Sequence, residues 1–216
     1  MGGCKKAPGE ILVEIPDKAF RQTLLAQGVD SNGDGQISQE EAKATRSLVV
    51  PPSGITDLTG LEAFIRLDSF AITLNPLASL DISALGSLSY LECTSCEITS
   101  LDVSLNTSLE TLICGRNSLE QLDLSRNASL TTLICNNNLL SHLDLSANSG
   151  LSTMICCGNQ LTGLNISRHA GLTMIGYDNM PMLTEVCVWT LPFPPPGVVV
   201  LREFSPNVVY TTSCSN

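Results

Sequence analysis

The chain has 216 residues, of which 43% are hydrophobic and only 4% aromatic, and its formal net charge is −10. This length is sufficient for one elongated domain with a continuous core. The negative charge argues against nucleic acids and anionic membranes as electrostatic partners. The sequence also contains no apolar run long enough to cross a membrane.

The N-terminus has small residues before Cys4 and two lysines after it. This pattern resembles the cleavage site of a bacterial lipoprotein, in which the cysteine becomes the lipidated first residue. We therefore expect lipidation of Cys4, with a signal segment upstream of Met1, and the alternative is an ordinary cytosolic start. Residues 1–10 are predicted to form a flexible tail.

Residues 11–45 are predicted to form a helical cap. A helical pattern opens at Asp17, carries apolar Phe20 and Leu24, and ends near Gly28. The segment DSNGDGQISQEE that follows matches the twelve-residue calcium loop of an EF-hand at its diagnostic positions. The predicted oxygen ligands for calcium are Asp30, Asn32, Asp34, the carbonyl of Gln36, Ser38 and Glu41.

Two further predictions concern this loop. Ser38 and Glu41 have the spacing of a capping box for a following helix. A lone calcium loop is seldom a sensor, because sensing needs a pair of helices that opens on binding. We therefore expect a structural calcium ion that holds two short helices over the next element, and the alternative is a turn rich in Asp and Asn that holds no metal.

The middle of the chain repeats every 21 residues, with leucines at 80, 101, 122, 143 and 164 and cysteines at 93, 114, 135 and 156. Each unit has the form L-x-x-L-x-C-x-x-N-x-L, which is the leucine-rich-repeat signature. One clear copy comprises Leu109, Leu112, Cys114, Asn117 and Leu119. The sequence therefore predicts an α/β fold, a right-handed solenoid over residues 46–185 with about seven strands in one parallel sheet.

The pattern within each repeat also predicts where side chains point. Leu112 and Cys114 should face the core, and Thr111 and Ile113 should face solvent. The asparagines of successive repeats should bond backbone groups in a stacked ladder, and the repeated aspartates should bond backbone N–H groups at the turns rather than metal. The repeated cysteines should be small core residues, with no zinc site at Cys93 and Cys96.

The last segment, residues 186–216, is predicted to be a β-rich cap. Its strands are expected at 186–189, 198–201 and 208–210, with a rigid proline-rich loop between the first two. Cys187 and Cys214 flank this segment, and either a disulfide or two free thiols is compatible with their spacing.

The solvent side of the sheet is the predicted binding surface. Three isoleucines in line are unusual on a soluble surface, and apolar patches often mark interaction sites. The alternative is a passive scaffold, because β-branched residues also favour strands. The predicted partner-binding residues on this concave face are Tyr90, Glu92, Thr111, Ile113, Arg116, Thr132, Ile134, Asn137, Thr153 and Ile155.

Catalysis has little support, because the chain has only two histidines and no nucleophile, phosphate-loop or metalloprotease motif. The three Asn-x-Ser/Thr sites at Asn106, Asn127 and Asn165 follow from the repeat and do not indicate glycosylation. We expect a non-enzymatic monomer.

An EF-hand-like cap followed by 21-residue repeats with L-D-x-S turns resembles bacterial cell-surface leucine-rich-repeat lipoproteins of the internalin type. That resemblance implies recognition or adhesion to a protein partner at the cell surface or outside the cell, with calcium in the cap and a lipid anchor as the only membrane contact. A passive surface scaffold and a cytosolic adaptor are the alternatives.

Overall fold

The computed structural model describes residues 10–77, 79–205 and 208–214. Two helices come first, α1 (Lys18–Ala26) and α2 (Gln39–Ala44), and a single 3₁₀ turn lies at Leu61–Ala63. The strands are β1 (Ser47–Val50), β2 (Ser69–Ile72), β3 (Tyr90–Glu92), β4 (Thr111–Ile113), β5 (Thr132–Ile134), β6 (Thr153–Ile155), β7 (Gly163–Asn165), β8 (Met174–Gly176), β9 (Glu185–Cys187), β10 (Val199–Leu201) and β11 (Val209–Thr211). No helix of the described residues is long and apolar enough to span a membrane.

The strands form two parallel sheets. The main sheet has eight strands in the order β1-β2-β3-β4-β5-β6-β8-β10, and a smaller sheet has three in the order β11-β9-β7. The predicted parallel solenoid with 21-residue repeats is therefore confirmed. The prediction of about seven strands in a single sheet is wrong, because the main sheet has eight strands and a second sheet forms from β9 with β7 and β11 on either side of it.

Side-chain alternation along the strands follows the prediction. In β4, Leu112 and the following Cys114 are fully buried, whereas Thr111 and Ile113 are half-buried on the solvent side. The same pattern holds in β5 and β6. Since every repeat stacks in register on the next, these inward residues make one continuous core along the solenoid.

The predicted asparagine ladder is present. Asn138 Oδ1 accepts a hydrogen bond from Leu119 N at 3.0 Å, and its Nδ2 donates to the carbonyls of Cys114 and Cys135 at 3.1 and 3.0 Å. Asn75, Asn117 and Asn159 make equivalent bonds in their own turns. The amide of each asparagine thus joins two consecutive repeats.

A second ladder, which the sequence analysis did not predict, runs through Asn106, Asn127 and Asn148. All three are fully buried, and each Nδ2 donates to two backbone carbonyls of the preceding repeat. In the next repeat the position is taken by His169, whose Nε2 lies 3.2 Å from Leu145 O. Burial lowers the pKa of His169 below its ordinary value.

The burial of Asn106 and Asn127 also makes them inaccessible to a glycosylating enzyme in the folded protein.

The repeated cysteines occupy the core, as predicted. Cys93, Cys114, Cys135 and Cys156 are fully buried, and burial raises the pKa of the Cys135 thiol to about 12. Cys96 stands where other repeats have asparagine, and its Sγ donates to the carbonyls of Ile72 and Thr94, both at 3.4 Å. Cys96 therefore makes two of the hydrogen bonds to backbone carbonyls that the asparagine amide makes in the other repeats.

The repeated aspartates bond backbone groups, as predicted. Asp81, Asp102, Asp123 and Asp144 each accept a hydrogen bond at 2.8–2.9 Å from the N–H of the serine two residues later. These bonds account for the L-D-x-S sequence at each turn without a metal ion.

The N-terminal helices close one end of the main sheet. Asp17 caps α1 by accepting from Phe20 N at 2.9 Å, and the predicted capping box of Ser38 and Glu41 is present at the start of α2. Phe20 and Leu24 of α1 are completely buried. The predicted tail and Cys4 lie outside the described residues, apart from Glu10.

The C-terminal strands extend both sheets. Strand β10 pairs with β8 and extends the main sheet, whereas β11 pairs with β9 and extends the smaller one. Their bounds lie within one or two residues of the predicted strands, which the sequence analysis assigned to a C-terminal cap. In the structure a disulfide joins Cys187 of β9 to Cys214, whose Cα atoms are 5.7 Å apart.

Candidate functional site

The solvent side of the main sheet, called the sheet face below, carries two columns of side chains. Pairing between strands puts Thr111, Thr132 and Thr153 in one column, and Ile113, Ile134 and Ile155 in the other. Tyr90 and Glu92 precede them on β3. The predicted strand residues therefore share one surface in the expected register, although their binding role remains a prediction.

The sheet face extends further than the sequence analysis predicted. Met174 continues the threonine column on β8, and β10 adds Val199 to that column and Leu201 to the isoleucine column. These three side chains are 37%, 51% and 44% exposed, which makes the end of the face near β10 its most apolar part. The 25-residue step from Met174 to Val199 breaks the 21-residue period, so no repeat pattern could have indicated Val199 or Leu201.

Strand β3 carries a polar part of the sheet face. Tyr90 donates its hydroxyl hydrogen to Glu92 Oε2 at 2.9 Å, within the same strand. Burial and the bond to Glu92 raise the pKa of Tyr90. The surface therefore changes from a paired phenol and carboxylate on β3 to aliphatic side chains on β10.

Arg116 and Asn137 lie beside the sheet face rather than on it. Both have left-handed backbones, with φ of 56° and 55°, in the turn that follows β4 and β5, and both are exposed. The next repeat has Gly158 at this position with φ of 63°, and a Cβ there would collide with Asn137 Oδ1. The two predicted side chains thus line one edge of the sheet face.

The predicted calcium loop forms a series of tight turns. Asp30 Oδ1 accepts from Gly33 N and Asp34 N at 2.8 and 3.1 Å, and its Oδ2 accepts from Gly35 N at 2.8 Å. Asn32 Oδ1 accepts from Asp34 N, and Asp34 Oδ1 accepts from Gln36 N, both at 2.8 Å. Asp34 Oδ2, by contrast, is buried without a hydrogen-bond partner in the described part of the chain.

Glu41 is held by the two ends of the loop. Its Oε1 accepts from the N–H and the hydroxyl of Ser31 at 2.8 and 2.9 Å, and its Oε2 accepts from the same groups of Ser38, both at 2.9 Å. Burial raises the pKa of Glu41, but the bonds from Ser38 and Ser31 outweigh it and hold the pKa below its ordinary value. Glu41 therefore acts as an anion at the centre of the cap.

The residues before α1 also contribute to this loop, which the sequence analysis did not predict. Val13 N donates to Ile37 O and Gln39 N donates to Ile11 O, both at 2.8 Å, so residues 11–13 lie antiparallel to the end of the loop. Glu10 Oε1 lies 3.5 Å from Asn32 Nδ2, and its Oε2 is buried with no partner among the described residues. No feature of the calcium-loop motif points to Glu10.

The loop in this structure does not form a closed metal site. Across the described ranges, no three His, Cys, Asp or Glu side chains are grouped closely enough to hold a metal ion. The donor chemistry nevertheless suits a hard cation, because calcium prefers carboxylate, amide and carbonyl oxygens. The unpartnered carboxylate oxygen of Asp34 is the observation that favours a bound cation here.

Comparison with solved structures shows the class of protein to which this fold corresponds. Internalin C2 from Listeria monocytogenes matches 96% of this chain and 100% of its own at 18% identity, with a TM-score of 0.57. Internalin InlF from the same organism matches 81% of this chain and 63% of its own at 18% identity and a TM-score of 0.57. The fold is thus that of the internalin leucine-rich repeats.

A third similar structure is the functional domain of InlJ from Listeria monocytogenes, described as including a cysteine ladder. It is 25% identical over 80% of this chain and 55% of its own length, with a TM-score of 0.36. This chain therefore spans little more than half of the InlJ domain and less than two thirds of InlF. No known protein-family profile and no curated protein matches it.

Proposed function

We propose that this chain is a non-enzymatic recognition module that binds a protein partner on its sheet face. The observation that supports this most is the aliphatic column of Ile113, Ile134 and Ile155, which Gly176 separates from the further aliphatic residue Leu201 on β10. The isoleucines are half-buried on the solvent side of the sheet and Leu201 is exposed, and apolar surface of this kind often marks an interaction site. Stacked repeats commonly use their extended sheet surface in this way.

The polar part of the sheet face would give the interaction its orientation. The Tyr90 and Glu92 pair and the exposed Arg116 lie toward one end, whereas the aliphatic residues lie toward the other. A partner with an apolar strip beside a basic group would match this distribution. The internalin-type fold supports a location of this chain at the bacterial surface or outside the cell. The small residues before Cys4 and the two lysines after it support a lipid anchor on Cys4.

The test is a binding screen against extracellular matrix, mucosal and bacterial surface proteins, using the wild type and Ile134→Asp. Burying a carboxylate at the centre of the interface should weaken capture about 30-fold or more. The matched control is Leu105→Asp, because Leu105 is a 60% exposed leucine away from the sheet. Both variants should keep the melting temperature and circular dichroism of the wild type.

Each outcome has a distinct meaning. Loss of capture with Ile134→Asp alone supports recognition through the sheet face. Equal capture by all three proteins would show that the partner binds outside the sheet face. If the wild type captures nothing, the passive scaffold becomes the better explanation, and the isoleucines only favour strand formation.

We also propose that the N-terminal loop binds calcium as a structural ion. Asp30, Asn32, Asp34, the Gln36 carbonyl, Ser38 and Glu41 would hold it, and Glu10 is an additional candidate because its Oε2 is unpartnered. To bind the metal, Glu41 Oε1 would have to give up the two hydrogen bonds that it accepts from Ser31. The ion would neutralise the clustered carboxylates and fasten the segment between α1 and α2.

This proposal predicts a calcium-dependent melting temperature. With an affinity of about 10⁻⁴–10⁻³ M, roughly 10 mM calcium should stabilise the protein by about 1–3 kcal/mol. Asp34→Asn should abolish this gain while keeping the bond to Gln36 N, and Asp57→Asn, in an exposed turn, should leave it unchanged. Identical melting in calcium and in chelator, with no calcium detected by titration calorimetry, would rule out the site.

A further inference from the structure

The two edge strands of the main sheet differ in whether their outward backbone groups are hydrogen-bonded. At the N-terminal end, the side-chain amide of Gln27 donates to Val49 O at 2.5 Å and accepts from Val49 N at 3.1 Å. Gln27 therefore satisfies backbone groups of β1 on the edge that faces away from β2. An exposed strand edge is a template for pairing with another chain, and this amide removes the template at that end.

At the other end, strand β10 is the last strand of the main sheet and pairs only with β8 among the described strands. Val199 N donates to Thr173 O, and Leu201 O accepts from Tyr177 N, so Val199 and Leu201 bond toward β8. Because alternate residues of a parallel strand bond to opposite sides, the N–H and C=O of Val200 point away from the sheet. Within residues 10–77, 79–205 and 208–214, neither group is hydrogen-bonded to a backbone or a side-chain partner.

The side chains around this edge are apolar. Val199 and Leu201 are about half exposed on the sheet face, and Phe204 just beyond them is 69% exposed. Two residues of opposite charge, Arg202 and Glu203, follow the strand, and Asp178 accepts a hydrogen bond from Phe204 N. Arg202 is engaged locally, because its Nη1 donates to Tyr210 Oη at 2.6 Å.

We propose that the edge of β10 binds the same edge of a second copy of this chain, giving a two-fold dimer joined end to end. Both free backbone groups belong to Val200, so antiparallel pairing about a two-fold axis puts Val200 opposite its own copy. Opposed residues of that kind exchange two N–H···O bonds. A surface that pairs with itself in this way is what a symmetric dimer requires.

The side chains are complementary in the same register. Val199 lies opposite Leu201 of the second copy, and the reverse pair forms on the other side of the axis, which puts four aliphatic side chains together on one face. Arg202 lies opposite Val198, so no two like charges meet. The dimer joins the two main sheets into one and their sheet faces into one surface, and it does not depend on what that surface binds.

The dimer can be tested by sedimentation or light scattering of the full chain over about 1–100 µM. We expect the wild type to reach twice its 23.0 kDa mass within this range. Leu201→Lys, which places a charge on an exposed side chain of the edge, should weaken self-association about tenfold or more. Leu105→Lys, an exposed leucine away from the edge, should leave it unchanged.

A second variant addresses the backbone bonds. Val200→Pro removes the N–H that the dimer uses, at an edge position where a strand tolerates proline. It should yield the 23.0 kDa species without loss of the melting transition. A wild type that stays at 23.0 kDa at the highest concentration, or a dimer that survives in both Leu201→Lys and Val200→Pro, would overturn the proposal.

Discussion

Replacing Asn138 with alanine should lower the free energy of unfolding by about 3–5 kcal/mol, the largest effect we expect from a single change. The side chain is 4% exposed and bonds Leu119 N, Cys114 O and Cys135 O. Alanine would leave Leu119 N in the core without a partner, which costs about 1–3 kcal/mol. It would also remove one bond each from Cys114 O and Cys135 O, at about 0.5–1.5 kcal/mol per bond, although Asn117 and Asn159 still donate to these carbonyls. Because the amide joins two repeats, the loss should affect the whole stack.

The measurement is denaturant unfolding followed by circular dichroism, with Asn136→Ala as the control. Asn136 lies two residues away and makes no side-chain hydrogen bond in the described chain, so its removal should cost under about 0.5 kcal/mol. The expected difference corresponds to a melting temperature lower by roughly 10 °C. Equal destabilisation of the two variants would show that the ladder is not what holds these turns.

Replacing Cys214 with serine should lower stability by about 3 kcal/mol, because the disulfide to Cys187 closes a loop of 27 residues. Cys187 belongs to β9, and Cys214 follows β11, the strand that pairs with β9. The bond therefore restrains the last turn of the solenoid, where β10 and β11 complete both sheets. Without it, the unfolded chain has more conformations to lose on folding.

Unfolding of the wild type with and without a reducing agent is the corresponding experiment. Reduction should destabilise the wild type by the same amount as Cys214→Ser and should leave that variant unaffected. Cys157→Ser serves as the control, since Cys157 is half-buried and outside the disulfide. Alkylation of the denatured protein should find two more thiols after reduction than before, and an equal count would contradict the disulfide.

The repeat was predictable from the sequence because its physics is local and repeated. Leucine and cysteine must alternate with polar or β-branched residues wherever a strand has one buried side, and the recurrence of this pattern at 21 residues establishes the register. The Asn117 and Asn138 ladder, the Asp102 turn and the Ser38 capping box follow from side chains that bond backbone groups a few residues away or one repeat away. Each of these predictions was confirmed.

The candidate site was only partly predictable. The columns of Thr132 and Ile134 follow from strand alternation, and the sequence placed them correctly. Arg116 and Asn137 were predicted to lie beside these columns, and the left-handed turn after each strand puts them there. Val199 and Leu201 were missed because an irregular connection of 25 residues, rather than the repeat, brings β10 beside β8.

The sequence by itself determined the solenoid, its core and its inner ladder, since each depends on contacts between equivalent positions of adjacent repeats. Only the tertiary structure decided how the ends are finished: Gln27 on the edge of β1, residues 11–13 against the loop, and β10 as the last strand of the main sheet. These contacts join residues with no repeated spacing. They depend on where the chain returns in space, and no pattern along the sequence records that.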